Sequence, residues 1–317
     1  MMSAHPWSQL HMPLTGPRWI SSDEVYAKLS FRGGARAISE SLRHGLDPSA
    51  DPARSIVDVS WGQLLIMPSE FARYVGVKIA SVSPDNPTRG LQRIQGLYLL
   101  LDAVTLSPLA QLDGVALTTL RTAAVSAAAA EALAPAHVEH LVVFGSGPQA
   151  WGHAVALRAV RPVDRVTIVG RDPHRAAALA DKLDDGDCTA TAGSAAAVAE
   201  ADLVVCATTA RSPVFEQAVR DDALLIAVGS HEPDARELPG DVVARAQVVV
   251  EDEGTALREA GDVAIPVSER RLDPASLLSL RSVVRGDVAV DRSRLRVFKS
   301  VGMAWEDLVI ASAIYEA

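Results

Sequence analysis

The segment Gly145-Ser146-Gly147-Pro148-Gln149-Ala150 has the spacing G-x-G-x-x-A, an accepted form of the dinucleotide fingerprint. The apolar run Leu141-Val142-Val143-Phe144 precedes it, and Trp151 to Arg158 can continue as a helix. A buried strand turning into a helix presents unpaired backbone N–H groups and the positive end of the helix dipole, which together attract a pyrophosphate. Two glycines can also simply make a turn, so the surroundings decide. Two cationic positions stand out beside this turn. Lys78 interrupts VGVKIASV, a strand otherwise made of apolar and small residues; there it either snorkels from an edge or points into a cavity that holds an anion. Arg121 and Thr122 follow Thr118-Thr119 at an expected helix start. Guanidinium, hydroxyls and helix donors would favour an anion there, and a surface arginine with a routine cap is the competing explanation.

The flanking chain supplies the context for the glycine turn. Arg165 to Val169, Leu203 to Ala207, Leu224 to Val228 and Val248 to Val250 are short apolar strands, and Asp172-Pro173 caps a helix through Leu183. Strand and helix alternate, which predicts a doubly wound parallel sheet of the Rossmann type and makes Gly145 to Ala150 a dinucleotide site. The second strand ends in Gly170-Arg171-Asp172. Gly170 offers no carboxylate to the ribose and Arg171 can pair with a 2′-phosphate, which favours NADP(H) over NAD(H). The alternative leaves Arg171 solvated and Asp172 as a helix cap.

Upstream, Ser55 to Trp61, Gln63 to Met67, Tyr74 to Val82, Arg93 to Leu101 and Pro108 to Leu112 are closely spaced strands of a largely antiparallel sheet. Val25 to Leu46 has helical spacing interrupted at Gly33-Gly34, and Arg121 to Ala134 is an alanine-dense helix. Residues 1 to about 19 read as a loose arm, and its His5 and His11 are too isolated to make a metal site. The fold class is therefore α/β: a Rossmann-type domain over 121–302, with a smaller α+β domain over 20–120 and about 303–317.

About half of the 317 residues are hydrophobic, and the formal net charge is -9 with scattered acids. That argues against nucleic acid as a partner and leaves room for a small anionic ligand held by a few placed cations. Two cysteines, Cys188 and Cys206, cannot form a disulfide framework or a cysteine-rich metal site. With no signal peptide or membrane-spanning run in view, a cytoplasmic location is expected.

Several motifs in one order resemble the ornithine cyclodeaminase and mu-crystallin family. They are ARS at Ala53 to Ser55, GVKIASVSPDNPTRGL at Gly76 to Leu91, LLDAVTLSPLAQLDG at Leu100 to Gly114, RTAAVSA at Arg121 to Ala127, GSGPQA at Gly145 to Ala150, ATTARSPV at Ala207 to Val214, PDARELPGDV at Pro233 to Val242 and VFKSVGMAWEDL at Val297 to Leu308. The resemblance runs from about residue 20 onward. It implies that the first domain makes a homodimer interface and a substrate floor, and that the last helix returns to it. By position it implies that Arg54, Lys78 and Arg121 hold a substrate carboxylate. Thr122, Gly145, Ser146, Gly147, Gln149, Ala150, Arg171, Thr208 and Ser300 fall at cofactor contacts, with Lys299-Ser300-Val301 near the nicotinamide side. Three cations converging on one point would repel one another if the site stayed empty, which is a physical reason to expect a carboxylate.

Two departures matter. Where cyclodeaminases carry an aspartate that acts on the substrate amine, this chain has His231, followed by Glu232, and an imidazole cannot anchor an ammonium as a carboxylate does. Leu106 replaces a usual glycine and puts the local turn in doubt. The mu-crystallin branch resembles reductases of cyclic ketimines, so the expected function is NAD(P)H-dependent reduction of a cyclic imino acid such as pyrroline-2-carboxylate or piperideine-2-carboxylate. Lys78 and His231 are the candidate catalytic residues, His231 as proton donor near neutrality. Ornithine cyclodeamination, amino acid dehydrogenation and non-catalytic NADPH binding are the alternatives.

Overall fold

The computed structural model describes residues 16–317; His5 and His11 lie outside the described residues. One sheet contains β1 (Arg18–Ile20), β2 (Ser55–Val59), β3 (Gly62–Phe71), β4 (Tyr74–Val82), β5 (Ile94–Asp102) and β6 (Pro108–Asp113), in the order β1-β6-β5-β4-β3-β2. It is antiparallel apart from the β1–β6 pair. Arg18 to Ile20 is thus an edge strand, where composition alone suggests a loose arm to about residue 19. Short strands divided by Gly, Pro and Asp produce the remaining pattern as read from the sequence.

Helices α1 (Ser22–Lys28) and α2 (Phe31–Arg43) break at Leu29-Ser30, not at Gly33-Gly34. Ser30 caps α2 by accepting the Gly33 N–H at 3.1 Å. Helix α3 (Gly114–Leu133) corrects a second expectation. It begins seven residues before Arg121, capped by Asp113, whose carboxylate accepts the N–H groups of Val115 and Ala116 at 3.0 and 2.8 Å. Arg121 therefore lies two turns inside the helix, beyond the reach of its N-terminal dipole. The low helix propensity of Gly, Val and Thr in GVALTTL hides this first part. Small side chains let α3 be buried on nearly every face, with the two sheets on either side.

The second sheet is parallel throughout: β7 (Val138–Phe144), β8 (Val163–Val169), β9 (Thr189–Ala192), β10 (Leu203–Cys206), β11 (Leu224–Ala227), β12 (Gln247–Val250), β13 (Leu278–Ser279) and β14 (Arg296–Lys299), in the order β13-β12-β14-β11-β10-β7-β8-β9. Helices α4 (Pro148–Val160), α5 (Pro173–Leu183), α6 (Gly240–Arg245), α7 (Glu253–Glu259), α8 (Gly261–Ser268) and α9 (Leu280–Arg285) connect these strands. Along β7, Leu141 and Val143 enter one apolar core while Val142 and Phe144 enter the other, which is why the strand reads as an unbroken apolar run. The strand order reverses between β7 and β10, opening a crevice at their carboxyl ends where ligands bind in such sheets. Finally α10 (Ala304–Glu316) leaves the parallel sheet and packs on α2, α3 and strands β3 to β5 of the first sheet.

Leu106 takes φ +54°, a left-handed conformation that a side chain adopts at a cost of about 1–2 kcal/mol. The turn persists because the Asp102 carboxylate accepts the N–H groups of Val104 and Thr105 at 3.1 and 2.8 Å, and the Leu106 N–H reaches the Asp102 carbonyl at 2.9 Å.

Candidate active site

A cavity of about 300 Å³ lies between the two sheets, at the carboxyl ends of β7, β10, β11 and β14. The loops that leave those four strands bring in the glycine turn, Thr208, His231 and Ser300. The first sheet supplies Lys78 from the inward face of β4, and Arg54 comes from the segment before β2. Arg121 arrives from the middle of α3. Lys78, Arg54, Arg121 and His231 therefore line one space, although as many as 177 residues separate them in the chain (231 minus 54). Lys78 thus points into the cavity rather than snorkelling from an edge.

The electrostatics differ from the sequence argument in one respect. Arg54, Lys78 and Arg121 each have a carboxylate partner already, so the convergence of these three does not by itself demand a substrate. Lys78 Nζ lies 2.8 Å from Asp307 Oδ2, and Arg121 donates to Glu306 Oε2 at 2.6 Å with Asp307 Oδ1 3.3 Å from its Nε. Arg54 Nε is 2.9 Å from Glu259, and its Nη2 donates to the carbonyls of Val301 and Gly302 at 3.2 and 2.8 Å. Glu306 and Asp307 sit on α10, so the returning helix fixes two of the three cations. Its sequence signal is an acidic pair within the apolar stretch AWEDLVIA. Gly302, at φ +75°, is required here, because a Cβ would overlap the Arg121 guanidinium.

Burial, reinforced by Arg121, pulls the Lys78 ammonium down to about 8 against the attraction of Asp307. Burial and Arg54 push the His231 imidazole down to about 4. His231 is thus neutral at physiological pH, below the ordinary value near 6.5 on which its expected role as a proton donor rests. Glu232 turns away from the cavity to pair with Arg211. Glu306 is held well above the ordinary carboxylate range by burial and by neighbouring Glu251, against the attraction of Arg121.

The glycine turn fits a dinucleotide on its own geometry. Gly145 has φ +121° and packs so tightly on the Ala207 carbonyl that a Cβ would collide with it. Gly147 faces open space, and as N-cap of α4 it has no side chain to occupy the first N–H groups. Those donors remain for a phosphate. Beside them a second cavity of about 540 Å³ is lined by Ser146, Gly170, Arg171, Arg175 and Thr208. The Asp172 carboxylate accepts the N–H groups of His174 and Arg175 at 2.9 and 3.2 Å, so it acts as the cap of α5.

The remaining positions are not equivalent. Thr122 and Gln149 line the first cavity; the Thr122 hydroxyl donates to the Thr118 carbonyl at 2.7 Å. Ala150 is buried in α4 outside either cavity lining, where it packs beneath Gly145. Ser300 reaches the cavity, but its hydroxyl donates to Glu251 at 2.7 Å, while Lys299 is wholly buried and donates to the Ser230 carbonyl at 2.6 Å. Sequence reasoning missed Glu237, whose carboxylate gathers the Thr208 N–H, the Thr208 hydroxyl and the Gly229 N–H at 2.8, 2.7 and 2.7 Å. It ties the loop after β10 to the loop after β11 on the wall of the crevice. Among the described residues no cluster of His, Cys, Asp and Glu could hold a metal ion, and no helix is long and apolar enough to cross a membrane.

Known proteins resemble the chain in sequence and fold. Over 261 residues the chain is 36% identical to a Delta(1)-pyrroline-2-carboxylate reductase of Bacillus cereus, covering 80% of each protein. It is 35% identical over 276 residues to the Delta(1)-pyrroline-2-carboxylate/Delta(1)-piperideine-2-carboxylate reductase of Azospirillum brasilense, with 84% of each covered. The solved Delta(1)-pyrroline-2-carboxylate reductase of Thermococcus litoralis, in complex with NADH and L-proline, superposes with a TM-score of 0.88 at 27% identity over 94% of this chain and 96% of that one. The model of the ornithine cyclodeaminase/mu-crystallin family matches residues 22–317, and the chain belongs to that family.

Proposed function

We propose that the protein is an NAD(P)H-dependent reductase of cyclic imino acids, acting on a 1-pyrroline- or 1-piperideine-2-carboxylate. The observation that carries this is the placement of Arg54, Lys78 and Arg121 in the cavity that the glycine turn also borders. The N–H groups of the glycine turn would hold a reduced nicotinamide cofactor, which would supply the hydride for the carbon that bears the carboxylate. The three cations fix that carboxylate, and with it the adjacent C=N bond, so positioning contributes much of the rate. The C=N electron pair moves to nitrogen, which must carry a proton to complete the amine. Lys78, drawn down to about 8 yet still charged at neutral pH, is the donor. Neutral His231 accepts a hydrogen bond from the iminium N–H. The ornithine reading is disfavoured at this same position, because neutral His231 offers a substrate ammonium no counter-charge.

The test follows NADPH and NADH oxidation with the two cyclic imines, alongside ammonia release from ornithine. Oxidation stoichiometric with imine supports the reductase; ammonia without net cofactor change refutes it. Arg171, exposed at the edge of the second cavity and with Asp172 committed as a cap, supports NADP(H) over NAD(H). A homodimer is supported by the outer face of the first sheet. There Ile66, Ile79 and Leu97 stand side by side on β3, β4 and β5, each more than a third exposed. Such an apolar face on a sheet marks an interaction surface.

A further inference from the structure

Arg93 is the cation of the substrate cavity that no carboxylate answers. Arg54, Lys78 and Arg121 have Glu259, Asp307 and Glu306. Among the described residues Arg93 has no ion pair, and its buried Nε has no hydrogen-bond partner. Residues 1–15, outside the described part, contain no Asp or Glu that could supply one. A partly buried guanidinium without a counter-ion keeps its donors available to an anionic group that enters the cavity.

The strand register places Arg93 relative to the other cations. The inward face of β4 carries Lys78, Ala80 and Val82 in succession. Tyr98 stands opposite Lys78 and Ile94 opposite Val82, and the Arg93 carbonyl accepts the Ser83 N–H at 2.9 Å. Arg93 is thus five residues from the Lys78 row, about 16 Å from backbone to backbone at roughly 3.3 Å per residue. Both residues line one cavity, with Arg93 beyond the Val82 end of the row that begins at Lys78. Between them Ala80, Val82 and Leu65 form an apolar floor. The sequence of surfaces along β4 is a carboxylate socket, a stretch suited to methylene groups, and a lone guanidinium.

The geometry points to recognition by Arg93 of a second anionic group on the substrate: an imino acid whose side chain ends in a carboxylate. This rests on the imine-reductase reading for the identity of the reacting end. The second carboxylate takes no part in the hydride step and sets only which imine is preferred.

A matched pair tests it. L-Glutamate and L-norvaline each have five carbons and differ in a terminal carboxylate against a methyl group. They are titrated calorimetrically into protein saturated with oxidised cofactor. The diacid is expected to bind about 10- to 100-fold more tightly, the range for one charge-assisted hydrogen-bonded contact. Arg93→Gln brings that ratio below about 2, and Arg93→Lys keeps part of it. A ratio near 1 in the unmodified protein overturns the proposal. So does an equal loss for both ligands in Arg93→Gln, or a change of oligomeric mass in that variant, which would mean that a second copy supplies the missing acid. In parallel, NADPH oxidation is measured with ammonia plus 2-oxoglutarate or 2-oxopentanoate and with 1-pyrroline-2-carboxylate. A binding ratio that persists while no imine is turned over sinks the reductase reading but leaves Arg93 as the second anion site.

Discussion

Replacing Glu237 with glutamine changes little in volume and removes one charge from the crevice wall. The carboxylate holds two donors of Thr208 on one oxygen and the Gly229 N–H on the other, and it is fully buried. Glutamine keeps one carbonyl oxygen, so one side of the bridge must set an NH2 group against an N–H donor. The loss is one hydrogen bond to a charged group, about 1.5–3 kcal/mol. If the two loops must be ordered to seat the cofactor, affinity at pH 8 falls by roughly 10- to 150-fold. Stability supplies a separate reading. Burial raises Glu237 from 4.5 to about 7, with Lys299 opposing the shift. Between those values the folded chain keeps a proton that the unfolded chain has released. The stabilisation is therefore complete below about pH 4.5 and is lost as pH rises through 7, at about 1.4 kcal/mol per pH unit for one proton. Glutamine cannot titrate, so the melting temperature of Glu237→Gln should gain on that of the unmodified protein across this window by several degrees, at roughly 2–4 °C per kcal/mol. Cofactor fluorescence titration at pH 8 and thermal scans from pH 4.5 to 7.5 measure the two effects. Unchanged affinity together with parallel melting curves would refute the bridge.

Four further outcomes are expected. Lys78→Met should lower kcat/KM at least 100-fold, and turnover of the unmodified enzyme should decline above an apparent pKa near 8; a profile flat to pH 10 would remove Lys78 as the proton source. His231→Ala should raise KM more than it lowers kcat and add no ionisation near 6.5, whereas loss of a limb at that pH would restore the histidine as acid. Arg171→Ala should reduce the NADPH-to-NADH ratio of kcat/KM by about 10-fold, and an unmoved ratio would show that Arg171 does not read the 2′-phosphate. Ile79→Lys, on the outward face of β4, should halve the mass measured by light scattering if that face joins two copies.

Local patterns carried the parallel sheet, because alternating apolar runs and the cap Asp172-Pro173 are short-range signals. The glycine turn was legible for the same reason: Gly145 and Gly147 do their work within six residues of chain. What stayed hidden was the counter-charge. Asp307 lies 229 positions after Lys78 (307 minus 78), and no periodicity links them. Glu237 sat within a recognised motif, yet only the meeting of the loops after β10 and β11 reveals which donors it collects. Thr118-Thr119 resembles the start of α3 because Asp113, the residue that performs the capping, falls at the end of a strand. His231 shows the reverse failure, since its position was readable and its protonation depends on burial and on Arg54.

The span between Lys78 and Asp307 also bears on how the protein comes to exist. During synthesis the first sheet, carrying Lys78, and α3, carrying Arg121, emerge before any of their acids, and two buried cations without partners oppose compaction of that segment. Only after the whole parallel sheet has been made does α10 arrive with Glu306 and Asp307. The acids that answer Lys78 and Arg121 are therefore the last part of the site to be made, and both cations acquire their partners only when α10 docks.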